Sequence, residues 1–332
     1  MSLVNRAVKT QRGLAYAYYF AKALPNKPTL LFAHGFPTPA YVWRRQITFF
    51  EQQGFGIIAP DLLGYGGTDK PTDPKLYVGS GLAQDIVDIL DQEGVSQVIS
   101  VSHDWGSRVV SRIANYYPDR LVACAFLGVG YGPPASNYAD PITQSAQIKS
   151  LVGYDVLAYM QYFVEPNAHV LMEKNFDSFF SLLFPLKRAT EEIWRENMCE
   201  AGKAKVWIES NRTTELPEYM TAEDKEYYTH ALVGGGLSAP LCWYQVLVEQ
   251  YNAEDDAKIP EEAYVLQKPV LFVAFNKDPI GLPTRMFAMA THEQYVKPDT
   301  NLTNKAVEGD HWALLSHADE VNTLLLEWIE GI

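Results

Sequence analysis

Residues 102–106, Ser102-His103-Asp104-Trp105-Gly106, lie between a short β-branched run, Val98–Val101, and a stretch with apolar residues at helical spacing (Val109, Val110, Ile113, Ala114, Tyr117). A small-x-nucleophile-x-small frame joining strand to helix is a nucleophile elbow, here with Asp where acyl-transfer enzymes carry Ser. The side chain sets the chemistry. A hydroxyl attacking an acyl carbon makes an ester that water cleaves, whereas on a saturated carbon it would make an inert ether. A carboxylate attacking a saturated carbon makes an ester, so turnover is open to it. Asp104 therefore points to displacement at sp³ carbon. The start of the following helix favours its charged form. An Asp that only caps a helix would satisfy the same stretch, so the decision falls to the rest of the chain.

A covalent ester must be cleared by activated water, which needs a base and a group to orient it. EGDHWALLSHADE (308–320) places His311 on a Gly-containing loop before the last helix, and VLFVAFNKDPIGLP places Asp278 just past an apolar strand. Nucleophile, acid and His follow one another in the order known for this kind of site. His317, in the opening of the final helix, is the weaker base, and His103 is expected to face away from the site. The turn AHGFP (33–37) follows another strand. There the backbone N–H of Phe36, together with that of Trp105, is expected to hold the oxyanion formed when water attacks the ester. Phe36–Pro37 is a candidate cis bond.

Positioning these residues requires strands that end where the loops begin. TLLFAH (29–34), GIIAPD (56–61), VISVS (98–102), ACAFLGV (123–129) and PVLFVAF (269–275) read as strands buried on both faces, hence parallel. Helical patterns fall among them, as in Gly81–Asp91, and Ala318–Ile329 closes the chain with Val321, Leu324, Leu325 and Trp328 on one face. The fold class is thus α/β, a mostly parallel, doubly wound sheet. Between Gly132 and Pro240 strand-like runs disappear and aromatic-rich helical patterns take over, Val152/Val156/Tyr159/Met160/Phe163 and then Phe176/Phe179/Phe180/Leu183. Pro133-Pro134 opens this segment and Gly234–Gly236 lies near its end. The expected division is a core of 1–131 and 241–332 with a helical cap inserted at 132–240.

Composition narrows the partners. A formal charge of −13 over 332 residues argues against nucleic acid. No apolar run reaches the length of a membrane span, and MSLVNRAVKTQRG holds no signal-peptide core. Cys124, Cys199 and Cys242 are odd in number and far apart, so neither a metal site nor a disulfide framework is expected and a reduced, cytoplasmic setting is. The glycine-rich stretches LLGYGGTDKP (62–71) and GVGYGPP (128–134) run into prolines where a phosphate-binding helix should start, which excludes a nucleotide loop.

HGFP (34–37), DLLGYGGTDKP (61–71), SHDWG (102–106), NKD (276–278) and GDHW (309–312) together resemble the soluble epoxide hydrolase family of the α/β-hydrolase superfamily, over nearly the whole chain. Ser102 stands where that family usually has Gly. The resemblance implies two cap tyrosines that hold and protonate an epoxide oxygen: Tyr159 in VLAYMQYFVEPN (156–167), with Tyr162 its near neighbour, and Tyr244 in LSAPLCWYQ (237–245). A phenol of pKa ~10 suits the task. It further implies an epoxide and water as reactants, a diol as product, and no metal or organic cofactor. The aromatic-rich cap points to an apolar epoxide, though packing explains those rings equally well. The rival on the same frame is haloalkane dehalogenation, with the Trp105 indole as halide donor. A rival of another class is a ligand receptor that has lost turnover. Which epoxide is used, with what selectivity and in what oligomeric state, is not legible.

Overall fold

The structure is a computed structural model and describes residues 5–136, 141–186, 190–297 and 302–332, side chains at 141, 142, 144 and 282–287 aside. Eight strands form one sheet in the order β1-β2-β4-β3-β5-β6-β7-β8. They are β1 (Arg6–Lys9), β2 (Ala15–Ala21), β3 (Thr29–Ala33), β4 (Gly56–Pro60), β5 (Val98–His103), β6 (Leu121–Leu127), β7 (Val270–Phe275) and β8 (Leu302–Val307). All five strands read from continuous apolar runs are present, and β3, β4, β5 and β7 are buried along their whole length. They pair in parallel, with Ala33 opposite Ser102 and Ser102 opposite Phe126. This leaves β3, β5, β6 and β7 side by side with their carboxyl ends on one edge.

Three strands escape the sequence pattern. β1 and β2 form an antiparallel hairpin on the flank, where only Tyr16, Ala17 and Tyr18 are buried. β8 is an edge strand, LTNKAV, exposed through its middle. Edge position relaxes the demand for apolar side chains, so the signal fades.

From Pro141 to Asp256 every named element is a helix. The expected 240/241 division falls inside one of them, Ser238–Val248. The root of this helical run is clamped from the core. Arg112, on the helix Gly106–Tyr116 that follows the elbow, donates to both oxygens of Asp256 (2.7 and 2.6 Å) and to the Gly132 carbonyl at 2.8 Å. Both Arg112 and Asp256 side chains are fully buried. Such a pair is held by its fork geometry, and losing one partner strands the other charge. Trp243 and Trp312 add ties across the same boundary, their indole N–H groups donating to the carbonyls of Leu63 (2.9 Å) and Leu183 (2.7 Å). Among the described residues no single helix is long and apolar enough to cross a membrane.

Candidate active site

β5 ends at His103, and Asp104 turns the chain with φ +52°, a left-handed conformation that non-glycine residues rarely adopt. The turn is possible because its neighbours lack side chains. A Cβ on Gly106 would lie 2.1 Å from the Ala33 carbonyl oxygen, and one on Gly35 would lie 2.2 Å from Asp104 Oδ1. The backbone after β3 can thus come directly up to the carboxylate. Phe36 N–H donates to Asp104 Oδ1 at 2.8 Å, and Trp105 N–H also donates to this side chain. Phe36–Pro37 is cis. The Asp104 side chain keeps 17% of its exposure, whereas that of Asp278 keeps none. One carboxylate can therefore be reached by a reactant and the other cannot.

Burial pushes the Asp104 pKa above the ordinary carboxylate value, while His311 and the amides of Trp105 and Phe36 favour the anion. His311 Nε2 faces Asp104 Oδ2 at 3.9 Å, too long for a direct hydrogen bond. On its other side, His311 Nδ1–H donates to Asp278 Oδ2 at 2.8 Å, and Asp278 Oδ1 accepts the N–H of Ile280 at 3.0 Å. Burial alone would discharge His311, but the charges of Asp278 and Asp104 outweigh it and raise its pKa above 6.5. A base with Nδ1 tied to a carboxylate presents Nε2 to the site, as a water-activating imidazole must.

His103 is buried beneath this base. Its Nε2–H donates to the His311 backbone carbonyl at 2.9 Å, and the two rings lie 4.5 Å apart. Burial and the neighbouring His311 charge depress its pKa well below the ordinary value, so it stays a neutral strut. The expectation that it faces away from the reactants agrees with this placement, but its contact with the base had no sequence signal. His317 instead bonds Ser316 through Nδ1 at 2.9 Å and takes no place in the cavity wall.

The cavity itself holds about 20 Å³, room for one water. Phe36, Asp104, Tyr159, Tyr244 and His311 all line it, and Asp278 stands behind His311. The remaining wall is Phe163, Leu183, Trp194, Met198, Ile280 and Trp312, so it is apolar apart from the reacting groups. Trp312 sits in the GDHW motif, Phe163 one helical turn beyond Tyr159, Leu183 in the second helical pattern and Ile280 two residues past Asp278, while Trp194 and Met198 carried no sequence signal. The Tyr159 and Tyr244 rings are 6.0 Å apart, hydrogen-bonded to each other, and the Trp105 indole hydrogen-bonds Tyr244. Burial, with the Asp104 charge nearby, pushes both phenols well above pKa 10, which keeps them protonated. Tyr162, by contrast, donates to the Ala168 carbonyl at 3.3 Å, outside the cavity wall.

A family model described as alpha/beta hydrolase fold matches residues 28–318. The bifunctional epoxide hydrolase 2 of Mus musculus is 28% identical over 306 residues, covering 91% of this chain and 52% of its own length. The chain thus spans about half the length of that relative. Epoxide hydrolase 2 of Siraitia grosvenorii is 32% identical over 225 residues, 67% of each chain. Among solved structures, epoxide hydrolase A of Mycobacterium thermoresistibile superposes with a TM-score of 0.79 at 29% identity, covering 98% of both chains. The carboxylate elbow, the His–Asp pair facing it and these likenesses agree: the chain belongs to the alpha/beta hydrolase fold family, in its epoxide hydrolase branch.

Proposed function

We propose that this protein opens epoxides to vicinal diols through an ester on Asp104. The observation that carries the reading is the confrontation, in one small cavity, of a partly exposed elbow carboxylate with a His–Asp pair on one side and two protonated phenols on the other. The epoxide oxygen accepts hydrogen bonds from Tyr159 and Tyr244. Asp104 Oδ2 attacks a ring carbon, the C–O bond of the strained ring breaks, and a phenol proton passes to the alkoxide. His311 then takes a proton from water, and that water attacks the carbonyl carbon of the ester. The Phe36 and Trp105 amides, already on the carboxylate, hold the developing oxyanion. As the Cγ–Oδ2 bond breaks, the diol leaves with the imidazolium proton. Asp104 returns to the carboxylate by giving a proton to the solvent, which has already reprotonated the phenol. Asp278 keeps the Nδ1 proton in place and stabilises the imidazolium.

The helices between β6 and β7 serve as the cap of this site and supply its apolar wall, which favours an uncharged, apolar epoxide. A cytoplasmic setting fits three cysteines that are all unpaired and buried. The Trp105 indole is already engaged with Tyr244, and Phe36 offers only an apolar side chain, so a halide would find no prepared pair of donors.

One turnover in ¹⁸O-water with a panel of epoxides tests the reading. Label should enter Asp104 first and reach diol only on later turnovers; label in the first diol would mean direct attack of water on the ring. His311→Gln should accumulate the alkyl-enzyme, read by intact mass. Halide release from bromoalkanes without diol from epoxides would mark a dehalogenase. Thermal shifts with epoxides but no product would mark a receptor.

A further inference from the structure

Thr190 opens the helix Thr190–Asn197 on the cap side of the cavity, and its Oγ1–H donates to Asp310 Oδ2 at 2.7 Å. Asp310 is the residue before the base. Its other oxygen, Oδ1, accepts the N–H of Trp312 at 2.9 Å, so both oxygens act as acceptors, as a carboxylate's do. Thr190 is fully buried and Asp310 is 3% exposed. One helical turn beyond Thr190, Trp194 sets its ring 5.2 Å from the His311 ring, and its indole N–H donates to the Leu182 carbonyl. Trp194 and, just past the helix end, Met198 both line the cavity.

We propose that the Thr190–Asp310 hydrogen bond is the latch that seats this helix over the base, with Asp310 a positioning residue for His311. The inference rests on the epoxide hydrolase reading. Through Trp194 and, just past its end, Met198, this helix supplies part of the cavity wall, which must keep its register against His311 while the ester is hydrolysed. Trp312 and Trp243 tie the cap to the core through backbone carbonyls, and Asp224 ties it through Arg44 and Tyr41, whereas Thr190 alone of these bonds the carboxylate next to the base. Asp310 also supplies a third carboxylate beside the imidazole. The groups that bear electrostatically on His311 are Asp278, Asp104, Asp310 and neutral His103, and the rings of Trp194 and Trp312 complete its surroundings. Asp310 itself is faced by Tyr219, Asp278, His311 and Thr190. Removing its charge must therefore lower the His311 pKa, while removing the Thr190 hydroxyl unseats the wall and leaves the charge in place.

The test uses the full chain with an epoxide that it converts, and follows alkylation and ester hydrolysis separately by rapid quench and intact mass across pH. Thr190→Val should slow ester hydrolysis on the order of 10-fold and alkylation much less, since one buried acceptor loses its donor. Thr190→Ser, which restores the hydroxyl, should recover the original ratio. Asp310→Asn should move the acid limb of ester hydrolysis to lower pH by roughly 0.5 unit, a shift that a merely structural role would not produce. If Asp310→Asn does not fold, the Val and Ser variants at 190 decide by their one-hydroxyl difference. Variants whose half-reaction ratio and acid limb match the parent protein sink the latch alone. A parent protein that makes no diol sinks the functional reading, and the latch with it.

Discussion

The two halves of the cavity wall are held in place by different means. The core half comes off the carboxyl ends of strands: Phe36 after β3, Asp104 after β5 and His311 after β8, with Asp278 behind it after β7. Backbone geometry and short charged hydrogen bonds set each position, namely a φ of +52° at Asp104, glycine contacts that admit no Cβ, and 2.8 Å contacts to Phe36 N–H and to Asp278. The cap half comes from separate helices and is held by rings. Phe163 lies 5.1 Å from Tyr159 and 5.3 Å from Tyr244, and Tyr244 lies 5.1 Å from both Phe36 and Trp105. Bond-making groups stand on the rigid half. Shape and, on the proposed reading, proton donation come from the half where ring packing dominates and side chains are exchanged at lower cost.

Substitutions on the core half should accordingly be the most damaging. Asp104→Ala removes the atom that bonds to substrate, and diol formation should fall by at least about 10⁴-fold, measured by product chromatography. A residual rate near that of the parent protein would remove the carboxylate from the reaction. Gly35→Ala tests the same rigidity without removing a reacting group. Its methyl would meet Asp104 Oδ1, Cβ and Cγ at 2.2–2.7 Å, so the nucleophile or the Phe36 turn must move. A loss of about 10²-fold in alkylation rate is expected, in line with the cost of displacing a reacting atom by an ångström. An unchanged rate would show the elbow to be more pliant than its geometry implies.

The same division explains what the sequence disclosed. Phe36, Asp104 and Asp278 sit where apolar runs stop, and strand ends are legible because both faces of β3, β5 and β7 are buried and demand unbroken apolar residues. His311 is marked instead by the Gly-containing loop before the last helix. β1, β2 and β8 lie on the flanks, where partial exposure replaces that run, and pattern reading passes over them. In the cap, spacing alone cannot tell Tyr159 from Tyr162, since both are buried on the short helix Ala158–Phe163. Resemblance chose Tyr159, and the tertiary placement of that helix decides which phenol meets the cavity. Trp194 and Met198 are legible only as packing residues, because nothing along the chain records that their helix is anchored beside His311.

Cap substitutions should be milder and should reveal redundancy. Tyr159→Phe and Tyr244→Phe each remove one donor to the epoxide oxygen while leaving the other, and each should lower the alkylation rate about 10- to 100-fold. Because the phenols are bonded to each other, the double variant should lose far more than either single one, without the loss being additive. Ester hydrolysis, which needs neither phenol, should be unaffected in all three. Equal damage to both half-reactions would mean that the tyrosines organise the core half as well, and the division between the halves would fail.

The smallest effect, and the sharpest, concerns pH. Ester hydrolysis needs neutral His311, so its rate must fall as pH drops through the His311 pKa, which lies above 6.5 in the free enzyme through Asp278 and Asp104. On alkylation the Asp104 carboxylate becomes a neutral ester and its share of that elevation vanishes. The acid limb of ester hydrolysis should therefore sit at lower pH than the His311 titration seen by NMR in the free enzyme. Asp278→Asn should draw both downward, because the first-named charge is then gone. Tyr159→Phe should move neither, since the phenols remain protonated throughout this range and carry no charge that the imidazole could sense. Limbs that coincide in the free and alkylated protein would show that Asp104 and His311 do not share a field across their 3.9 Å gap. A limb displaced by the cap variant would show that the base takes its pKa from the packed half of the wall as well as from the strands.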